Sequence, residues 1–244
     1  MPPDFRPPAR RRLYLMRHGS VDYFPDGQAA DPLRVPLTEA GRLQAEAAGR
    51  LLAAHEVRVD RVIATGLPRT RQTAERVLAR LPAALRPPGG IEDWPDLQEF
   101  RSGDLAHRGL ATEADFLAPF HGLPGPDTRY LGGESVGELL DRAITALERL
   151  LAQPGWDCAL LVLHGGVNRA LLSWLLTGSR TTLVAGFQQA PACLNAVDVA
   201  TGPADALVRF VNLAPRDPVQ RDTRDSTMET LYRQYLQSRG DTRG

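Results

Sequence analysis

Hydrophobic residues recur with two different periods along this chain, and the changes between them predict its strands and helices. The apolar runs Leu13–Met16 and Cys158–Leu163 are typical of strands that are covered on both faces. The other predicted strands are Arg61–Ala64, Trp94–Phe100, Leu194–Val199 and Ala206–Val211. Most of these runs are short, as expected for strands of a globular domain.

Helical spacing occupies much of the sequence between these runs. Thr38 is a favourable N-cap for a helix reaching about His55, in which Leu43, Ala47 and Leu51 would form the buried stripe. The other predicted helices are Leu67–Leu81, Thr112–Phe120, one opened by the capping-box residue Ser135, one from His164 to Leu176 before Gly178, and Met228–Leu236.

Strands that alternate with helices imply right-handed crossovers and a mostly parallel sheet. The sequence therefore predicts an α/β fold in one domain, without internal repeats or a linker. We expect a proline-rich, disordered leader over residues 1–11, the domain over 12–213 and a polar C-terminal tail over 214–244 that has room for a short helix.

The charged residues restrict the possible chemistry. The 244-residue chain has 29 basic and 29 acidic residues, and every basic residue is arginine. Without lysine, Schiff-base chemistry, pyridoxal phosphate attachment and a P-loop are excluded. A phosphate group would have to be held by arginine, histidine or backbone N–H groups. The zero net charge and the lack of a basic stripe predict that the protein does not bind nucleic acid.

The two cysteines, Cys158 and Cys193, lie in apolar runs and lack C-x-x-C spacing, so we expect them to be buried and reduced. No apolar stretch approaches the ~18 residues of a membrane span. The short run after Arg10-Arg11-Arg12 does not suit a signal peptide. We therefore expect a cytoplasmic protein without a membrane partner, and an exposed edge strand would allow a homodimer.

Two predicted strands end in a histidine followed by glycine, in Arg17-His18-Gly19 and His164-Gly165-Gly166. Ligands of open α/β sheets bind at the carboxyl ends of the strands, so both histidines should lie at the same edge. A third strand end leads into Arg69. Two arginines, two histidines and a helix N-terminus together predict an anion site, and phosphate is the natural ligand.

Five motifs in order resemble those of the histidine phosphatase superfamily, also called the phosphoglycerate mutase-like family. The resemblance extends from Leu13 to about Val211. The motifs are Leu15-Met16-Arg17-His18-Gly19, Pro36-Leu37-Thr38-Glu39-Ala40-Gly41 with Gln44-Ala45, the Ala64–Ala74 segment, Leu97-Gln98-Glu99, and Gly132-Gly133-Glu134-Ser135 with Val162–Gly166.

This resemblance implies a three-layer sandwich, with helices on both faces of a mostly parallel central sheet. It implies that His18 attacks phosphorus and becomes a phosphohistidine, and that Glu99 is the proton donor and acceptor. Arg17, Arg69, His164 and Gly165 would hold the phosphoryl oxygens. It implies no metal and no cofactor, because arginines supply the positive charge. The expected partner is a phosphorylated small molecule whose identity the sequence does not specify.

The chain departs from the family pattern near His18 and near Glu99. Ser20, Val21 and Phe24 replace polar residues that often follow the first histidine, so the mouth of the site should be more apolar. Asp104 is an alternative acid if Glu99 points away. The remaining histidines are expected on the surface or in loops: His55, His107 and His121.

Three alternative functions follow from the same sequence. Gly133-Glu134-Ser135-Val136-Gly137 matches the G-x-S-x-G motif of serine hydrolases, but the required strand before it is missing and Ser135 is better explained as an N-cap. A phosphoglycerate mutase would use the same residues to transfer the phosphoryl group to another hydroxyl. A phospho-ligand binding protein on this fold would not need the complete catalytic set, which this chain keeps.

Overall fold

The computed structural model describes residues 9–103, 111–220 and 224–240, which fold around a six-stranded sheet. Its strands are β1 (Arg11–Arg17), β2 (Arg61–Ala64), β3 (Ile91–Asp93), β4 (Cys158–Leu163), β5 (Leu194–Val199) and β6 (Leu207–Leu213). The spatial order is β3-β2-β4-β1-β5-β6. Strands β1 to β4 pair in parallel, whereas β5 is antiparallel to both β1 and β6. The predicted mostly parallel sheet is confirmed.

The helices are α1 (Glu39–Ala54), α2 (Pro68–Arg80), α3 (Glu113–Leu117), α4 (Val136–Ala152), α5 (Gly165–Thr177) and α6 (Thr227–Ser238). Each corresponds to a predicted helix. Ser135 caps α4 through the expected reciprocal bonds with Glu138. Gly178 ends α5 with a φ of 71°, a left-handed conformation that glycine adopts without steric cost. Ser135 is thus an N-cap, as the sequence indicated.

Alternate residues of the central strands enter two separate hydrophobic cores. Leu13 and Leu15 of β1 pack in the core that contains residues of α4 and α5. Tyr14 and Met16 point the other way, into the core that contains residues of α1 and α2. The near-continuous apolar runs arise because both faces of the sheet are covered. The three-layer architecture implied by the family resemblance is confirmed.

The strand predicted over Trp94–Phe100 is wrong. The structure has β3 earlier, at Ile91–Asp93, and a single 3-10 turn over Pro95–Leu97. Pro95 lacks a backbone N–H and favours the first turn of a helix. The carbonyl groups of Asp96 and Gln98 accept hydrogen bonds from an arginine side chain instead of from a neighbouring strand.

The buried stripe predicted for α1 is also wrong. Leu43 is 39% exposed, whereas Ala45, Ala48 and Leu52 are buried. The reason is close packing on α2: a Cβ on Gly49 would lie 2.6 Å from the Val77 carbonyl oxygen. The contact with α2 is therefore made by the face with small residues, and the larger Leu43 points away from it.

The structure also tests the expectations for the N-terminal leader, the cysteines and membrane spans. Residues 1–8 of the expected leader lie outside the described residues, and Arg11 already belongs to β1. Cys158 and Cys193 are free thiols and buried, as predicted. Burial raises the pKa of both, to about 12 and about 11 respectively. Within the described ranges, no helix has the length and apolar character required to cross a membrane.

Candidate active site

The carboxyl ends of β1, β2 and β4 bring together Arg17, His18, Arg69, Glu99 and His164, which we call the strand-end pocket. The two imidazole rings are 5.3 Å apart between centroids and meet edge to face. A Cβ placed on Gly165, the first residue of α5, would lie 3.8 Å from Arg17 Nε and 3.9 Å from Glu99 Oε2. Every residue predicted for the site therefore lies at the same edge of the sheet.

His18 is held in one orientation and one tautomer. Its Nδ1 lies 2.8 Å from the carbonyl oxygen of Gly19, so Nδ1 carries the proton and donates it. The backbone N–H of His18 donates to the Leu163 carbonyl at the end of β4. In the neutral ring, Nε2 therefore keeps its lone pair. This is the atom that could act as a nucleophile.

The charge state of His18 favours the same role. Burial lowers its pKa well below the usual value, because an imidazolium ion would lose its hydration, and the nearby Arg69 and Arg17 lower it further. Only 3% of the residue is exposed. His18 is therefore neutral at pH 7, as a nitrogen nucleophile must be.

His164 is oriented by a threonine at the end of β2. Its Nε2 lies 3.0 Å from the hydroxyl of Thr65. The Thr65 hydroxyl can donate to Nε2 or accept from it, and in the tautomer in which it donates, the proton of the neutral ring resides on Nδ1. Burial, Arg69 and His18 hold the pKa of His164 well below its usual range, so the ring is neutral. It can then serve as a hydrogen-bond donor to an anion without carrying a charge.

Three buried side-chain nitrogens of the strand-end pocket have no hydrogen-bond partner among the described residues. They are Arg17 Nε, Arg69 Nε and His164 Nδ1. A buried polar group without a partner costs about 1–3 kcal/mol. Fixed donors from two arginines and a histidine would be satisfied together by one tetrahedral oxyanion. The charge and the donor atoms of the pocket therefore suit a tetrahedral oxyanion.

Glu99 lies at the N-terminus of α5. Its Oε2 accepts a hydrogen bond from the Gly166 N–H at 2.9 Å, and its Oε1 accepts from the Phe100 N–H at 3.1 Å. Gly166 is required for this approach, because a Cβ there would collide with Glu99 Oε1. The carboxyl group is therefore directed toward the same helix end as the arginines and histidines of the pocket.

The loop that carries Glu99 is held by a buried ion pair. Arg142 of α4 contacts both carboxylate oxygens of Glu134, at 2.6 and 2.7 Å. The same guanidinium donates to the carbonyl groups of Asp96, Gln98 and Glu99 at 2.9, 2.6 and 3.0 Å. Because one planar group makes all these bonds, the backbone on both sides of Glu99 has a defined position.

Several residues of the site were not assigned roles from sequence. Glu134 lies in a recognised motif, but nothing in the sequence pairs it with Arg142. Thr65 had no role in the interpretation beyond marking a strand end. Asp104 and His107 lie outside the described residues, and His55 and His121 are exposed, as expected. Within residues 9–103, 111–220 and 224–240, no three His, Cys, Asp or Glu side chains are grouped to hold a metal ion.

Comparisons with known proteins identify the family of this chain. A family model of the histidine phosphatase superfamily (branch 1) matches residues 13–212. An acid phosphatase of Mycobacterium tuberculosis is 33% identical over 180 aligned residues, covering 69% of this chain and 80% of that protein. Phosphoglycerate mutase-like protein 4 of Arabidopsis thaliana is 30% identical over 173 aligned residues, which cover 65% of this chain and 68% of that protein. The α-ribazole phosphatase structure from Shigella flexneri matches with a TM-score of 0.62 and 25% identity, covering 82% of this chain and 96% of that one.

Proposed function

This chain belongs to the histidine phosphatase superfamily (branch 1), and on that premise we propose that it is a phosphatase that hydrolyses a phosphomonoester through a phosphohistidine on His18. The observation that carries the proposal is the buried, neutral His18 beside three buried side-chain nitrogens that have no hydrogen-bond partner in the described part of the chain. A lone pair on Nε2 and fixed donors for the phosphoryl oxygens are the two requirements of phosphoryl transfer to histidine.

In the first step, Nε2 of His18 attacks phosphorus. The N–P bond forms and the P–O bond to the leaving group breaks. Glu99 donates its proton to the departing oxygen, so the product is a neutral alcohol and Glu99 becomes a carboxylate. A leaving alkoxide would otherwise be a high-energy species in a pocket with little water.

In the second step, a water molecule attacks the phosphohistidine. Glu99 accepts a proton from this water as the new P–O bond forms. The N–P bond breaks, its electron pair returns to Nε2, and inorganic phosphate is released. Glu99 is then protonated again and the enzyme is ready for another cycle.

Positive charge from arginine takes the role that a metal ion has in many other phosphatases. We propose that Arg17, Arg69, His164 Nδ1 and the Gly165 N–H hold the three phosphoryl oxygens through both steps. Charge develops on these oxygens in the transition state, so donors that are already in place stabilise it without reorganising. The reaction should therefore proceed without a divalent cation.

The first experiment measures hydrolysis of p-nitrophenyl phosphate in EDTA by the full chain, by His18→Ala and by His55→Ala as a matched control on an exposed histidine. We expect the wild type and His55→Ala to be active and His18→Ala to lose at least about 10³-fold in kcat/KM. Activity that depends on a divalent cation, or that survives in His18→Ala, would refute the proposal.

A second measurement separates a phosphatase from a mutase, since the relatives include an acid phosphatase and a probable phosphoglycerate mutase. Acid quenching during turnover should trap an acid-labile phosphoryl group on His18. A phosphatase transfers this group to water even when alcohols are present. Preferential transfer to an added phosphoglycerate would favour the mutase.

A further inference from the structure

The C-terminal helix contacts the strand-end pocket. Thr227, the first residue of α6, accepts a hydrogen bond from Arg17 Nη1 at 2.7 Å through its hydroxyl oxygen. The two residues are 210 positions apart in sequence. Thr227 also lies beyond residue 212, where the match to the family model ends. The contact is therefore contributed by a part of the chain that the family match does not cover.

The start of α6 has a well-defined position. Ser226 caps the helix, with reciprocal hydrogen bonds to Glu229. Farther along, Tyr232 and Tyr235 pack against Phe116 of α3, and Tyr235 also packs against Phe24; we call these four residues the aromatic cluster. The cap and the packed aromatic face together place Thr227 beside Arg17.

This contact determines how the Arg17 guanidinium can be used. Nη1 donates to the Gln189 carbonyl oxygen at 2.6 Å and to Thr227 at 2.7 Å. Both hydrogen atoms of Nη1 are thereby engaged. Because the guanidinium is planar, fixing Nη1 also fixes the edge formed by Nε and Nη2. Nε is the buried nitrogen that has no partner among the described residues.

We propose that Thr227 is a positioning residue, whose hydroxyl turns the Nε and Nη2 edge of Arg17 toward the phosphoryl group of the substrate. That edge can bind two oxygens of one phosphate, as paired N–H groups of arginine commonly do. The inference rests on the proposed function only in assigning a phosphoryl group to this pocket. Loss of the Thr227 hydroxyl removes one of the two acceptors that Nη1 has among the described residues and loosens the hold on the guanidinium.

The test compares Thr227→Val, which removes the hydroxyl but keeps the shape, with Thr227→Ser, which keeps a hydroxyl. Thr230→Val is the matched control, since Thr230 is exposed on the same helix and its hydroxyl donates to the Ser226 carbonyl of that helix end. The primary measurement is the Kd of inorganic phosphate for the full chain by calorimetry. We expect Thr227→Val to raise this Kd about tenfold, with Thr227→Ser close to wild type and Thr230→Val unchanged.

A double-mutant cycle with Arg17→Lys distinguishes positioning from a general effect on the fold. Lysine cannot present two parallel N–H groups, so Thr227→Val should add little to the loss already caused by Arg17→Lys. In turnover of p-nitrophenyl phosphate, Thr227→Val should raise KM more than it lowers kcat, while thermal unfolding matches Thr230→Val.

Equal phosphate affinity of Thr227→Val and Thr230→Val, or fully additive effects with Arg17→Lys, would overturn the inference and leave the proposed phosphatase intact. Conversely, activity that survives in His18→Ala would refute the phosphatase. The phosphate-binding measurement would still decide the role of Thr227, because it does not require turnover.

Discussion

The strand-end pocket and α6, which carries two residues of the aromatic cluster, meet where Thr227 contacts Arg17, but they are built on different physical principles. In the pocket, His18, Arg69 and His164 are polar and are at most 3% exposed, and they sit at or next to the ends of strands whose side chains fill both cores. In α6, Tyr235 is the single residue that is buried. The pocket is therefore as stable as the sheet, whereas α6 depends on a small contact area.

We infer from this difference in burial that the pocket carries out the chemical step and that α6 only adjusts its rate. Groups that must stabilise a developing charge need fixed positions, which only the core can provide. An element with few buried contacts can change position at a low free-energy cost. We expect substitutions in the pocket to abolish activity, and substitutions in the aromatic cluster to change it by small factors.

The largest expected effect is in the pocket. Arg69→Ala should lower kcat/KM for p-nitrophenyl phosphate by about 10²–10³-fold, as removal of one fixed oxyanion donor does elsewhere. Arg71→Ala on the same helix is the control, because Arg71 is exposed and pairs with Asp93. If both substitutions reduced activity equally, Arg69 would have no special role in the pocket.

The second-largest effect is expected from breaking the buried ion pair between Arg142 and Glu134, which holds the loop that carries Glu99. Arg142→Met leaves the Glu134 carboxylate without its ion-pair partner and three backbone carbonyls without the guanidinium donor, so we expect the free energy of unfolding to fall by about 3 kcal/mol. Arg149→Met, also on α4, removes an exposed ion pair with Asp96 and the cation–π contact of Arg149 with Trp94, and should lower the free energy of unfolding by at most about 1 kcal/mol. Urea denaturation measures both, and similar values would contradict the positioning role of Arg142.

The pocket histidines should also make stability depend on pH. Burial lowers the pKa of His18 and His164 in the folded protein, so the unfolded chain binds protons first as the pH falls below about 6.5. Stability is then lost from that pH down to the folded-state pKa. At one pH unit below 6.5, each histidine should lower the free energy of unfolding by about 1.4 kcal/mol. Urea unfolding at pH 7.5 and 5.5 should show a smaller loss in His18→Ala than in wild type or His55→Ala.

The smallest effect should be in the aromatic cluster. The Tyr235 hydroxyl accepts a hydrogen bond from the Ala111 N–H at 3.0 Å, so Tyr235→Phe should cost about 1 kcal/mol. Hydrogen exchange should show faster exchange of the α6 amides while the amides of β4 keep their rates. Equal acceleration in both elements would mean that α6 does not open separately from the sheet.

Local pattern was sufficient to predict much of the fold. The apolar run Cys158–Leu163 became the central strand β4 with the same limits, because a strand buried on both faces must be apolar throughout. Ser135 and Gly178 mark helix ends through bonds made within a few residues. The motifs at Arg17-His18-Gly19 and His164-Gly165 lie at one edge because parallel strands place their carboxyl ends together.

Only the folded chain decides contacts between side chains that are distant in sequence. Arg142 satisfies the carbonyl groups around Glu99, which is why the predicted strand at Trp94–Phe100 does not form. The Thr227 contact with Arg17 likewise leaves no trace in local periodicity. Hydrophobic patterning records which face of an element is buried. It carries no information about which polar group, hundreds of residues away, completes the hydrogen bonds of a site.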